Sequence, residues 1–227
     1  MKKLLSIALE AAIEAGSEIM KIYAKDFEVE LKSDDSPLTI ADQNANAIIN
    51  SYLIKTEIPI ISEENKQAAY EERKEWGILW MVDPLDGTKE FVKRNGEFTV
   101  NIALIKNKQP ILGVIYVPTT KTVYYAIVSE QKAYKTMLQK HTVLSVELFS
   151  STDEIKAAEL NSKIIKVVGS RSHKSEETTN FIQSIEQQGK QVELVSIGSS
   201  LKFCLVAEGI ASIYPRFAPT MEWDTAA

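Results

Sequence analysis

The stretch Trp80-Met81-Val82-Asp83-Pro84-Leu85-Asp86-Gly87-Thr88-Lys89-Glu90-Phe91 carries the densest chemistry in the chain. Proline fixes a turn after Asp83, so the carboxylates of Asp83 and Asp86 can converge on one point with the Leu85 carbonyl aimed between them. Oxygen donors of that kind suit Mg²⁺. Gly87 and Thr88 then open a helix whose free amides and dipole attract a phosphate, which sets metal and phosphate side by side. An Asp-Pro turn followed by an Asx or N-cap residue explains the same letters without chemistry, so further acids must decide. Glu63 follows Ile60-Ile61-Ser62 and either reaches the same point or is half of a solvated Glu63-Glu64 pair. Asp42 is either part of a reactive group or a helix N-terminal acid favoured by the macrodipole. Asp224, in Glu222-Trp223-Asp224-Thr225-Ala226-Ala227, either caps a helix or brings a carboxylate to the cluster.

Basic residues lie in the second half. In Ser199-x-x-Lys202 helical spacing puts both side chains on one face, and with Arg216 after Tyr214-Pro215 they can grip a second phosphate. Solvated surface charge is the plain alternative for both cations. His173 either contacts a ligand or is a loop histidine, and Cys204 reads as core.

The elements that must position these residues follow from periodicity. Apolar residues at helical spacing over 4–24 predict a first helix; Lys32 to Pro37 is a polar turn cluster, and 39–53 a second helix. Ile58 to Ile61 and Trp76 to Val82 read as buried strands, each ending on acids. From 98 to 128 the pattern is an antiparallel meander with turns at Asn107-Lys108 and Pro118-Thr119. Residues 129–163 carry no motif. Beyond them strands (164–168, 192–197, 211–214) alternate with helices (175–188, 199–208). The chain therefore divides into an α+β half, 1–130, and an alternating α/β half, 131–227.

At 227 residues the chain is long enough for a sizeable core, and 44% hydrophobic with 25% charged residues is a globular composition. The balance of 26 Lys+Arg against 31 Asp+Glu excludes the electrostatic footprint of a polymeric nucleic-acid binder. One cysteine forms no intramolecular disulfide, so the cytoplasm is the expected compartment. The N-terminal apolar run is interrupted by Glu10 and Glu14 and reads as an amphipathic helix, and no run approaches the roughly 20 residues of a spanning segment.

Glu63, Asp83-Pro84-Leu85-Asp86-Gly87-Thr88 and Trp223-Asp224-Thr225-Ala226-Ala227, in this order, resemble the inositol monophosphatase superfamily of Mg²⁺-dependent, lithium-inhibited phosphatases. Within it, the stretches 83–91, 93–105, Ser170 to His173 and Gly198 to Gly209 are similar to the bacterial 3′(2′),5′-bisphosphate nucleotidase branch. The resemblance implies a layered α-β-α-β-α sandwich, and hydrolysis of 3′-phosphoadenosine 5′-phosphate to AMP and phosphate, with the 5′-phosphosulfate as a further substrate. Such an activity clears a by-product of sulfate assimilation. It implies Mg²⁺ on Glu63, Asp83, the Leu85 carbonyl, Asp86 and Asp224, Asp83 bridging two ions. It further implies that Thr88 passes a water proton toward Asp42, that the Gly87 and Thr88 amides hold the scissile phosphate, and that His173, Ser199, Lys202 and Arg216 contact the nucleotide. Peripheral association with the inner membrane is compatible with it. Family members continue past the Trp-Asp-Thr-Ala-Ala segment, so the C-terminal part reads as truncated, and the 227-residue form is expected to be less stable and weaker for its second Mg²⁺ than an extended one. The alternatives are an inositol monophosphatase or broad sugar phosphatase and, from another class, an inactive nucleotide or metal binder. Oligomeric state is not legible.

Overall fold

A computed structural model of the chain describes residues 1–26, 28–31, 37–142, 148–159, 163–169 and 176–227. The helical spacing near the N-terminus becomes α1 (Lys2–Tyr23), which buries Leu5, Ala8, Leu9, Ala12, Ile13 and Ile19. A ribbon of β1 (Val29–Leu31) and β2 (Pro37–Thr39), paired antiparallel, leads into α2 (Ile40–Leu53). Pro37 thus opens a short strand rather than closing a turn, a position where its missing N–H is tolerated. The remainder of that polar cluster, 32–36, lies outside the described residues.

Seven strands form one mixed sheet. In chain order they are β3 (Ile60–Ser62), β4 (Ile78–Asp86), β5 (Thr99–Lys106), β6 (Gln109–Val117), β7 (Thr122–Ile127), β8 (Lys132–Met137) and β9 (Glu154–Ile155), and each pairs with the next. β3 runs parallel to β4, and the other neighbours are antiparallel. The meander expected over 98–128 is β5 to β7. Helices α3 (Tyr70–Arg73) and α4 (Thr88–Val92) are short insertions before and after β4. α1 packs against β5 and β6 and α2 against β4, and their apolar faces share one core with Trp80, Phe91, Phe98, Ile102, Val114 and Tyr116. The approach of α1 to the sheet is close at Gly16, where an added Cβ would stand 2.5 Å from the Tyr116 ring.

Residues 164–196 build a smaller layer, while β8 and β9, beyond residue 130, still belong to the large sheet. β10 (Ile164–Gly169) and β11 (Gln191–Ser196) pair in parallel through α5 (Glu176–Gln187), with Ile165, Val167 and Ile185 at the centre. The strand expected over 211–214 is reduced to a single parallel bridge between Val167 and Ile213; Pro215 follows and offers no N–H to continue the ladder. The last helix is α6 (Leu201–Ala207), shorter than the expected 199–208. Sheet and helices together make an α/β sandwich, the layered class expected from the sequence.

Candidate active site

The first surprise is local to β4. The strand does not stop at Val82 to make a turn at Asp83-Pro84; it runs on to Asp86. Its pairing jumps from Asp83↔Asn101 to Asp86↔Thr99, so three steps on β4 face two on β5. One extra residue is a bulge, and Pro84, which has no ladder hydrogen to lose, is suited to it. In a regular strand residues three apart point to opposite faces. The bulge restores them to one side, which is why Asp83 and Asp86 converge as expected though the backbone device differs.

Asp83, Asp86 and Asp224 come together: one carboxylate oxygen from each lies within 4.8 Å of the others. Each acid is anchored through the protein. Asp83 Oδ1 accepts the Leu85 N–H at 3.1 Å, and Asp86 Oδ2 accepts the Ser200 hydroxyl at 2.7 Å. Asp224 Oδ2 accepts the Thr220 hydroxyl at 2.6 Å and the Met221 N–H at 3.3 Å. Asp224 therefore acts both as a cap, on a 3₁₀ turn at Glu222–Asp224, and as a member of the cluster. Burial, and then the charges of Asp86, Glu63 and Asp224, push the Asp83 carboxyl well above the usual carboxylate range. Burial also raises Asp86, against the Ser200 hydrogen bond. One buried and two part-buried carboxylates converge here, and such an all-oxygen donor set fits a hard divalent ion. Glu63, held by its N–H on the Val82 carbonyl at 3.1 Å, lines the same cavity beside this trio.

Asp42 is 2% exposed and lies in the first turn of α2, as its reading as a helix N-terminal acid expects. Its Oδ2 accepts the Thr39 N–H at 2.8 Å and the Thr39 hydroxyl at 2.7 Å, closing a capping box on α2. That locks the carboxylate so that Oδ1 accepts the Thr88 hydroxyl at 3.1 Å, across 46 residues of chain. The Thr88 hydroxyl also stands 3.2 Å from the Leu85 carbonyl. Gly87 N-caps α4 at φ 93, a left-handed conformation that glycine adopts without strain. A Cβ there would come within 2.9 Å of the Glu97 carbonyl and 3.1 Å of Ser199 Cβ.

The acid trio, Glu63, Leu85, Gly87 and Thr88 line a cavity of about 360 Å³ together with Lys89, Glu90, Ile197, Gly198, Ser199, Lys202 and Arg216, and Asp42 is not among the lining residues. Ser199 and Lys202 do meet there, but not by sharing a helix face. Ser199 precedes α6 with φ 50, and the Lys202 ammonium donates to the Ser199 carbonyl at 2.6 Å. The backbone is turned there because Gly198 is pressed onto the 90–97 segment, its N–H donating to Glu97 at 2.8 Å. Lys202 is only 9% exposed, and burial pulls its ammonium below the usual lysine range while Asp86 opposes the shift. Arg216 is exposed, and its guanidinium donates to the Ala218 and Pro219 carbonyls and to the Tyr214 hydroxyl, which fixes it at the rim. His173, with the rest of 170–175, lies outside the described residues. Cys204 is buried, as read from the sequence. Sequence reasoning missed Ser200, Asn101, Thr39 and Glu97. Thr39 was findable as the start of a Thr-x-x-Asp box, whereas the others act through contacts about a hundred residues distant in the chain.

The family model for the inositol monophosphatase family matches residues 1–227. A Salmonella typhimurium protein named 3′(2′),5′-bisphosphate nucleotidase CysQ is 46% identical over 222 residues, spanning 96% of this chain and 82% of that protein. The Buchnera aphidicola protein of the same name is 44% identical over 230 residues, covering 100% of this chain and 80% of its own length. Among solved structures, CysQ from Bacteroides thetaiotaomicron, described as a bacterial member of the inositol monophosphatase family, superposes with a TM-score of 0.83 at 45% identity, over 100% of this chain and 84% of that one. An acid trio, two of its members on a bulged Asp-Pro-Leu-Asp strand and with a threonine–aspartate pair beside it, is thus set in a fold and a sequence matched over the whole of this chain, and the chain belongs to the inositol monophosphatase family.

Proposed function

We propose that the protein is a Mg²⁺-dependent phosphatase that removes the 3′-phosphate of 3′-phosphoadenosine 5′-phosphate, giving AMP and phosphate, and that it also accepts the 5′-phosphosulfate. The observation that carries this reading is the convergence, in one cavity, of the Asp83–Asp86–Asp224 trio, the Thr88 hydroxyl held from behind by Asp42, and the two cations Lys202 and Arg216. The names of the relatives at 44% and 46% identity support the substrate.

Glu63, Asp83, the Leu85 carbonyl, Asp86 and Asp224 would hold the metal. Bound there, Mg²⁺ supplies Lewis-acid activation of water and neutralises charge that develops on the phosphate. The chain's own contribution begins at Thr88. Its hydroxyl donates to Asp42, so Oγ1 can accept a proton from the attacking water as the Thr88 proton passes to the Asp42 carboxylate, which ends the step protonated. The capping box prevents Asp42 from turning away. The Gly87 and Thr88 amides orient the scissile phosphate at the start of α4. Ser199, Lys202 and Arg216 take the 5′-phosphate, and His173 adds a contact to the nucleotide. In this division residues 1–130 supply most of the metal side and 131–227 the recognition side, with Asp224 returning to the metal. Among the described residues no helix is long and apolar enough to cross a membrane. We place the protein in the cytoplasm, in sulfate assimilation, with lithium as an inhibitor.

An inositol or sugar monophosphatase shares the metal trio and differs in having no second phosphate to hold. Comparing kcat/KM for 3′-phosphoadenosine 5′-phosphate and for inositol 1-phosphate separates the two: the proposal expects a strong preference for the bisphosphate, and equal or reversed preference would contradict it.

A further inference from the structure

Two side chains away from the main cavity converge on one of its acids. Asn101 on β5 and Ser200, just before α6, are 1% and 2% exposed, and neither lines the main cavity. Asn101 Nδ2 donates to Ser200 Oγ at 2.8 Å. The same Oγ lies 2.7 Å from Asp86 Oδ2 and 3.2 Å from the Asp224 carbonyl.

A serine hydroxyl has one proton, and the direction of this chain of hydrogen bonds is fixed by where that proton must go. If Ser200 donated to Asn101, its oxygen would face the Asp86 carboxylate at 2.7 Å with no hydrogen between two lone-pair-bearing atoms. The proton therefore lies on the short contact to Asp86, and the amide of Asn101 must donate. That orientation leaves Asn101 Oδ1 buried with no hydrogen-bond partner among the described residues. A buried acceptor left without a donor is unfavourable by about 1–3 kcal/mol. The residue is retained in this orientation for its donor end, and the donor end serves Ser200.

We propose that Asn101 and Ser200 are positioning residues for the metal centre: their relay occupies one oxygen of Asp86 and holds the other toward Asp83 and Asp224 as a cation ligand. The inference rests on the metal-centre reading given under Proposed function. Partners of this kind that orient ligating carboxylates typically change metal affinity by about 10- to 100-fold when removed. Because the two residues act in series, cutting either link releases Asp86, and cutting both releases it no further.

The test uses EDTA-stripped full chain and Mn²⁺ as the probe, with binding measured by calorimetry in the absence of substrate and the melting temperature of each metal-free protein recorded alongside. Ser200→Ala and Asn101→Leu are each expected to weaken Mn²⁺ binding about 10-fold or more, with metal-free melting temperatures close to wild type and the double variant no weaker than the single ones. Asn101→Leu removes an amide that is already half unsatisfied, so it keeps the test sound if Ser200→Ala disturbs the start of α6. Wild-type affinity in either folded variant, or losses that multiply in the double variant, would overturn the relay alone. Failure of the wild-type chain to bind Mn²⁺ would overturn the metal centre itself and the relay with it.

Discussion

Thr88 and Asp42 show how much one side chain can be asked to do. The Asp42 carboxylate caps α2 through one oxygen and accepts from Thr88 through the other, so its structural and chemical roles are separable by substitution. Thr88→Ala removes the hydroxyl to which the proposed mechanism assigns the proton transfer, while leaving the capping box intact. It is expected to lower kcat by about 10²- to 10⁴-fold with little change in melting temperature, as stopped-time phosphate assays and thermal unfolding will check. Asp86→Asn leaves a hydrogen-bonding group for Ser200 but removes the charge. Turnover should be abolished in a protein that still folds, and undiminished turnover would take Asp86 out of the mechanism. Which acids come together was legible in the sequence, because Asp83, Asp86, Glu63 and Asp224 sit in recognisable strings. The side chains that aim them were not: Ser200 stands next to Ser199, which spacing singled out, and only the turn at Ser199 with φ 50 sends the neighbouring hydroxyl toward Asp86.

At the level of elements, periodicity identified α1 and α2, which bury one face, and the β5–β7 meander, whose β5 is buried on both. Periodicity did not identify β8 and β9, whose Lys132, Lys135 and Glu154 pair with other charged groups rather than with the core. The bulge in β4 was illegible for another reason: Asp-Pro has the letters of a turn, and only pairing with β5 holds it extended. Two predictions belong to the packing of these elements. Gly16→Ala would drive a methyl to 2.5 Å from a fully buried Tyr116 ring, which is also held through its hydroxyl by His141 at 2.7 Å and has no room to swing aside. Destabilisation of about 1–3 kcal/mol in denaturant unfolding is expected. Burial, and then the charge of Lys121, hold His141 below its ordinary value of 6.5. The unfolded chain therefore binds this proton more readily than the folded one, so stability rises with pH across the window below 6.5 and is lost as pH falls through it. His141→Gln should flatten that part of the pH profile of the melting temperature, measured between about pH 5 and pH 7; an unchanged slope would show that His141 does not contribute to it.

Across the whole molecule, the cavity is lined by two groups of segments far apart in the chain, 63–90 and 197–224. Gly198 and Glu97 join them by a 2.8 Å hydrogen bond, Ser200 reaches Asp86, and Asp224 comes back from the far end of the sequence to complete the trio. Catalysis and selectivity should therefore separate along that seam. Lys202→Gln is expected to raise KM for 3′-phosphoadenosine 5′-phosphate by about 10- to 100-fold, the worth of a hydrogen bond to a charged group, while changing KM for a monophosphate far less. A uniform loss on both substrates would indicate damage to the fold instead. The order of motifs made the family legible from sequence, but their meeting in space was not, since Asn101 and Ser200, or Thr88 and Asp42, carry no mark of each other in the string of letters. The most direct measurement for the account as a whole is phosphate release from 3′-phosphoadenosine 5′-phosphate by the purified chain, with Mg²⁺, with EDTA, and with Mg²⁺ plus lithium. The account predicts release that requires Mg²⁺, stops with EDTA and is inhibited by lithium; release undiminished by EDTA, or none with Mg²⁺ present, would contradict it.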